Sequence, residues 1–260
     1  MDRRQLGSTG LTVPAIGMGT WRTFDTDEDR TPIVNEAIAA GINLFDSSPM
    51  YGKAEDVLAK ALGGRRGEAL VATKVWTEDP AEGRRQIDHA LSLFGTVDVY
   101  QVHNLANVPA HLPRLEELKQ EGRVRAVGAT HYQESQFGRL EELMRTGRLD
   151  MIQVPYNPLR RDAEQRILPL AEELRLGVFV MSPLQGGILD RRPKPSQLAE
   201  LGVQTWAQAI LKWIASDKRV STVLTATKTP GRPTENACGG EPPMFTPEQR
   251  RLVESICAAG

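Results

Sequence analysis

Cysteine is scarce: Cys238 and Cys257 are the only two in 260 residues, with no CxxC pair and no Cys/His cluster around them. That argues against structural zinc and suits a reducing compartment. Neither sign of charge dominates, since the formal net charge is -1 with acids and bases interspersed. A nucleic-acid or anionic-membrane footprint is therefore not expected. No stretch approaches the ~20 apolar residues that a membrane span requires. The opening MDRRQLGSTG has paired arginines without an apolar region behind them, so neither a secretory nor a twin-arginine signal is expected, and a cytoplasmic protein is. Also missing are a low-complexity linker and the GxGxxG turn that a doubly wound sheet usually carries after its first strand.

What is present is a repeating unit of strand, loop and helix. Residues 3–13 read as two short strands around Gly7 and Gly10, a hairpin ahead of the main fold. Residues 16–21 (IGMGTW) form a first apolar strand, in which Gly17 and Gly19 allow close backbone approach to a ligand or a neighbouring element. Thr31-Pro32 supplies a cap and a first-turn proline for a helix with Ile33, Ala37 and Ile38 on one face. Further strands are expected at 42–45, 69–74, 97–103, 124–130, 151–155, 178–181 and 221–225. Helices follow at 54–62, 80–94, 109–121, around 137–144, 162–176, 206–216 and 234–237, with a closing helix at 247–258. The strands are nearly continuous apolar runs, as parallel strands covered on both faces should be. Eight such units predict an α/β fold of one particular kind, a (β/α)8 TIM barrel with an N-terminal β-hairpin, as a single domain over 1–260.

Chemistry-bearing residues recur where these strands end. The stretch GINLFDSSPMYG delivers Asp46 at a strand exit and Tyr51 five positions later; Lys74 ends the next strand and His103 the one after. Barrel active sites lie at the carboxyl ends of the strands, so the four side chains are expected on one rim. Taken singly, Asp46 could be a loop-bonding carboxylate, Lys74 a surface charge and His103 a satisfied core histidine. A phenol with a pKa of about 10 works near neutrality only if a cation or donor stabilises its phenolate, and Lys74 is the candidate. Trp21, Met50 and Trp76 follow strand ends and are candidate pocket walls, with a core role as the alternative. Tyr132 and Tyr156 are read as packing or rim residues, with pocket lining the alternative for Tyr156, close behind Gln153; Trp206 and Trp213 share a packed helical face, and His89 and His111 are read as solvent-side helix residues.

With LGSTGLTVPAIGMGTW, FDSSPMYG followed by Glu55, ATK at Lys74, VDVYQVH at His103, RVRAVGATHY, IQVPYNP and the Arg232, Glu235, Asn236 trio, the chain resembles the aldo-keto reductase superfamily over essentially its full length. The resemblance implies hydride transfer from a reduced nicotinamide to a carbonyl. Tyr51 would donate the proton, Lys74 with Asp46 would lower its pKa, and His103 would orient the carbonyl oxygen. It further implies that Gln153 binds the nicotinamide carboxamide, with Thr130 and His131 standing where the family usually has Ser-Asn. Met181 falls at the often aromatic stacking position. Gly19, Thr20 and Trp21 would border the dinucleotide, and its pyrophosphate would follow Ser182, Pro183, Leu184 and Gly186. Thr227, Lys228 and Arg232 flank the adenosine end, with Glu235 and Asn236 towards the adenine. Two cations there favour NADPH, with NADH also possible.

Two other functions stand beside this one: a barrel that binds nicotinamide as a sensor or partner subunit with little turnover, and an aldolase forming a Schiff base on Lys74. Short connections after His103 and Ser182 and beyond Asn236 predict an open, shallow pocket that accepts small aldehydes or activated ketones. No metal is expected, and nothing demands more than a monomer.

Overall fold

The computed structural model describes residues 1–259; Gly260, the last residue of the expected domain, lies outside them. Strands β1 (Arg3–Gln5) and β2 (Thr12–Pro14) pair antiparallel as the expected hairpin. Strands β3 (Ile16–Gly19), β4 (Leu44–Asp46), β5 (Leu70–Val75), β6 (Val97–His103), β7 (Val124–Thr130), β8 (Met151–Pro155), β9 (Gly177–Met181) and β10 (Thr222–Ala226) close into a parallel barrel in sequence order. Helices α1 (Thr31–Ala39), α2 (Ala54–Leu62), α3 (Pro80–Phe94), α4 (Val108–Gln120), α5 (Phe137–Met144) and α6 (Ile167–Glu173) clothe the outside. The set is completed by α7 (Pro195–Leu201), α8 (Trp206–Ala215), α9 (Arg232–Ala237) and α10 (Pro247–Ala258). None of the described helices is long and apolar enough to cross a membrane.

Period-two alternation divides the barrel interior into an apolar floor and a polar storey. Leu44, Ala72, Val99, Ala126, Met151, Phe179 and Leu224 pack together inside the barrel with Leu6, Leu11 and Val13 of the hairpin, which plugs that end. Two positions further along their strands stand Asp46, Lys74, Gln101 and Gln153, all buried. Gly128 lies between these storeys on β7, and a Cβ there would run into the side chain and carbonyl of Met151. The apolar floor thus stands directly beneath the functional groups.

Several expectations need correction. The helix expected over 162–176 is a single turn, Asp162–Glu164, followed by α6. Pro169 lacks an N–H and is best accommodated in a first turn, which is where α6 places it. The polar stretch after β9 contains α7, started by Pro195. Arg30 occupies the cap of α1, and Thr31 is its first residue, its N–H held by Asp29 Oδ1 at 2.9 Å. His111 is buried, 2.8 Å from the Thr77 carbonyl through Nε2, in space left by the missing side chain of Gly83.

Tyr156 is the packing residue of its two readings and does not line the pocket. Gln153 and Pro155 share the inward face of β8, so the next residue points outward; the Tyr156 ring packs 5.1 Å from Trp213 and its hydroxyl bonds Glu164. Trp206 and Trp213 are buried as expected. Emptying the floor should be costly: Phe179→Ala is expected to lose about 3–5 kcal/mol of stability, read as a lower urea midpoint at unchanged m.

Candidate active site

The loop after β4 is shaped by its own short side chains. Ser48 caps the turn Pro49–Tyr51 by accepting the Met50 N–H at 3.2 Å. Gly52 leaves that turn at φ +62° with the Asp25 carboxylate pressed against it, where a Cβ has no room. Asp25 Oδ1 also accepts the Lys53 N–H at 3.1 Å, which ties the loop after β3 to the start of α2. Tyr51 is thereby held over the barrel mouth, with the Lys74 ammonium 5.3 Å from its ring centroid and the His103 ring edge-on at 5.8 Å.

Beneath it lies a fully buried ion pair. Lys74 Nζ donates to Asp46 Oδ2 at 2.6 Å and to the Ser47 carbonyl at 2.7 Å, while Gln101 Nε2 donates to Asp46 Oδ1 at 3.2 Å. The Thr20 hydroxyl lies 2.9 Å from Ser47 Oγ and its N–H donates to the Asp46 carbonyl at 3.0 Å. Thr20 therefore braces the strand exit itself. Ser48 Oγ is 2.9 Å from His103 Nδ1, so one serine serves both the tyrosine turn and the histidine.

The electrostatics follow from burial set against pairing. Burial alone would lower the Lys74 pKa, but Asp46 and then Tyr51 outweigh it and raise the ammonium pKa. Burial pushes the Asp46 carboxyl up against the pull of Lys74 and of the Gln153 and Gln101 amides. The Tyr51 phenol is likewise raised, by burial first, with Lys74 pulling down and Asp46 pushing up. This corrects the expectation of a lowered phenol pKa: the pocket withdraws more solvation than the lysine returns, and the phenol keeps its proton. His103 lies well below its ordinary value because of burial and then the nearby Lys74 and His131, so it is neutral at pH 7.

The opposite half of the rim carries unspent polarity. Thr130 and Gln153 are register neighbours on β7 and β8, and Thr130 Oγ1 and Gln153 Oε1 are buried with no partner among the described residues. A hydroxyl beside an amide oxygen matches a primary carboxamide, which both donates and accepts. His131 is buried, with Nδ1 accepting the Gln133 N–H at 3.1 Å, which leaves Nε2 as the N–H donor of the neutral ring. Met181 is half-buried at the end of β9. Ser182 follows in a left-handed conformation, φ +56°, with its carbonyl 3.3 Å from Asn157 Nδ2.

Pro183 is buried, Leu184 packs on the core and Gly186 is exposed at φ +78°. Gly19 is half-buried and Trp21 exposed with the Arg22 guanidinium stacked 4.2 Å over it. Around α9, Thr227 Oγ1 accepts the Thr229 N–H, Lys228 is exposed, Arg232 pairs with Glu235 at 2.6 Å and Asn236 is buried. Glu235 Oε1 is a further buried oxygen without a partner among the described residues.

Three supports escaped the sequence reading. Gln101 was within reach of it, being two positions before His103 on the same face of β6; Ser48 and Asn157 show locally only as turn residues, and their bonds to His103 and Ser182 act across the fold.

An eight-stranded parallel barrel with Asp, Tyr, Lys and His gathered at its carboxyl rim defines a class of oxidoreductase. The Aldo/keto reductase family model matches residues 15–256, and the chain belongs to that family. It is 31% identical over 228 residues to the NADH-specific methylglyoxal reductase of Escherichia coli K12, a match spanning 73% of this chain and 69% of that one. It is 27% identical over 214 residues to the aldo-keto reductase YhdN of Bacillus subtilis, over 73% of this chain and 64% of that one. Among solved structures, the holo form of aldo-keto reductase AKR11C1 from Bacillus halodurans superimposes with a TM-score of 0.80 at 27% identity, covering 98% and 96% of the two chains. An aldo-keto reductase from Klebsiella pneumoniae in complex with NADPH reaches 0.84 at 21% identity, covering 98% and 95%, a likeness of fold.

Asp46→Asn would leave a buried cation without its counter-charge. It is expected to destabilise the protein by about 3–5 kcal/mol in urea unfolding at pH 7.

Proposed function

We propose that this chain reduces aldehyde or ketone carbonyls to alcohols with a reduced nicotinamide dinucleotide, and that Tyr51 is the proton donor. The observation that carries the reading is the placement of a protonated phenol against Lys74 and His103, with two polar groups that have no partner among the described residues, on Thr130 and Gln153, across the same mouth. When bound, the dinucleotide supplies the hydride.

The chain supplies the rest. Thr130 and Gln153 hold the carboxamide, with the His131 Nε2–H as an added donor, and Met181 offers an apolar face. The segment from Ser182 through Pro183, Leu184 and Gly186 follows the pyrophosphate, and Gly19, Thr20 and Trp21 close the other side. Lys228 and Arg232 give a 2′-phosphate its counter-charges, with Thr227, Glu235 and Asn236 around the adenosine. NADPH is the proposed cofactor and NADH an accepted one, in keeping with an NADPH-bound structural neighbour and an NADH-specific relative.

At the carbonyl, neutral His103 donates from Nε2 when Ser48 donates to Nδ1, which orients the oxygen. As negative charge builds on that oxygen, Tyr51 releases its proton, and the Lys74 ammonium stabilises the phenolate left behind. Trp21, Met50 and Trp76, all exposed at successive strand exits, form an open apolar rim suited to small aldehydes and activated ketones. The aldolase reading fails on Lys74 itself: a Schiff base needs a free neutral amine, and this one is a cation bonded to Asp46 and Ser47.

Oxidation of NADPH and NADH by the purified protein should depend on an aromatic aldehyde or methylglyoxal. In Tyr51→Phe, kcat should fall on the order of 10²-fold or more with dinucleotide binding unchanged. Full turnover by the variant would remove Tyr51 from the mechanism. Binding without turnover by the wild type would favour the nicotinamide sensor.

A further inference from the structure

Behind the catalytic rim, on the outer face of the barrel wall, lies a buried acid that the reaction above does not use. Glu55, in the first turn of α2, is 3% exposed, and its Oε1 accepts the Thr73 hydroxyl at 2.5 Å. Thr73 is the residue before Lys74 on β5 and pairs in register with Tyr100 of β6, whose hydroxyl is buried with no partner among the described residues. Alternation along β5 puts Thr73 outside and Lys74 inside, so a single strand separates Glu55 from the catalytic ammonium. A cavity of about 360 Å³ between the tyrosine turn and α3, bordered by Pro49, Gly52, Glu55 and Gln86, lies against this buried carboxyl.

We infer that Glu55 is a positioning residue of the reductase: its carboxylate acts through the wall of β5 to hold Lys74 cationic, and so sets the alkaline limit of Tyr51 as proton donor. The inference rests on the carbonyl-reductase reading. Glu55 adds to the larger pull of Asp46 and Tyr51 in favouring the Lys74 ammonium, and Lys74 in turn favours the Glu55 carboxylate, after Thr73 and His89. From α3, His89 also favours the carboxylate, while Asp56 on its own helix opposes it. Glu82 and Arg85 border the same cavity on α3, and β6 presents the Tyr100 phenol, raised by burial and then by Glu55 and Asp88. On the remaining neighbours, Glu36 of α1 is turned to Gly231 and Thr234, and Arg65 of the turn Gly63–Glu68 is paired with Glu68. Burial lifts Glu55 to about 7, so its charge changes within the working range of pH.

Two measurements test this. In Glu55→Gln the alkaline limb of kcat should move down by roughly a few tenths of a pH unit, whereas Glu55→Asp, which keeps the charge, should stay near the wild type. Independently of turnover, the Lys74 signal in protein carrying 13Cε-lysine, assigned by its loss in Lys74→Met, should show a small step near pH 7 in the wild type that vanishes in Glu55→Gln. The Lys74 signal needs no substrate, so it stands even if the reductase reading fails. Folding has its own check: a carboxyl raised in the native state costs stability as pH climbs from about 4.5 to about 7, and the Gln variant should lack that fall. A wild-type Lys74 signal with no step near neutrality overturns the inference, as does an unmoved alkaline limb in a folded Glu55→Gln.

Discussion

The buried contact between Asp46 and Lys74 is the interaction on which the site depends. Placing two charges in a barrel interior costs several kcal/mol per ion, and mutual attraction offsets this only with good geometry and further hydrogen bonds. Here the geometry is supplied by register. Asp46 ends β4 and Lys74 nearly ends β5, so the pleat brings both to the same storey, where Gln101 and the Ser47 carbonyl take up remaining bonding capacity. The pair is weak evidence of stability and good evidence of function: hydrophobic residues of similar volume would hold this barrel without it.

The apolar floor makes the expense bearable. Phe179, Met151 and Leu44, plugged by Leu6 and Val13, keep water from entering the polar storey from below, so Asp46, Lys74 and Gln101 meet solvent only through the mouth. Tyr51 reports that environment. Its phenol keeps its proton because burial withdraws solvation, and in the proposed mechanism it parts with that proton as charge appears beside it on a carbonyl oxygen. Preorganised charge of this kind is strongest where water is excluded.

Much of this was readable in the chain. The limits of β6, β7, β8, α3 and α10 coincide with the expected ones because apolar runs there end abruptly in turn or capping residues, such as Asp79 before α3 and Thr246 before α10. The rim residues were readable because barrel topology converts strand ends into neighbours. Facing and burial were less so: only the parity of β8 decides between the packing and pocket readings of Tyr156, and His111 needs a cavity opened by a glycine on another helix. The sign of the Tyr51 shift was missed for the same reason, since a sequence shows the cation beside a phenol and not the water removed from it.

The central claim is that Lys74 stabilises the ionised phenol of Tyr51 across the barrel mouth. The most direct test is the ionisation of Tyr51 itself, followed by NMR in protein carrying 13Cζ-tyrosine. With four tyrosines in the chain, the Tyr51 signal is assignable by its loss in Tyr51→Phe. In Lys74→Met with Asp46 replaced by Asn to remove the orphaned charge, the Tyr51 signal should titrate at higher pH than in folded Asp46→Asn alone, the comparison that isolates the lysine because Asp46 itself pushes the phenol up. An unchanged or lower titration would mean that the lysine does not act on the phenol, and the account of the proton donor would fall.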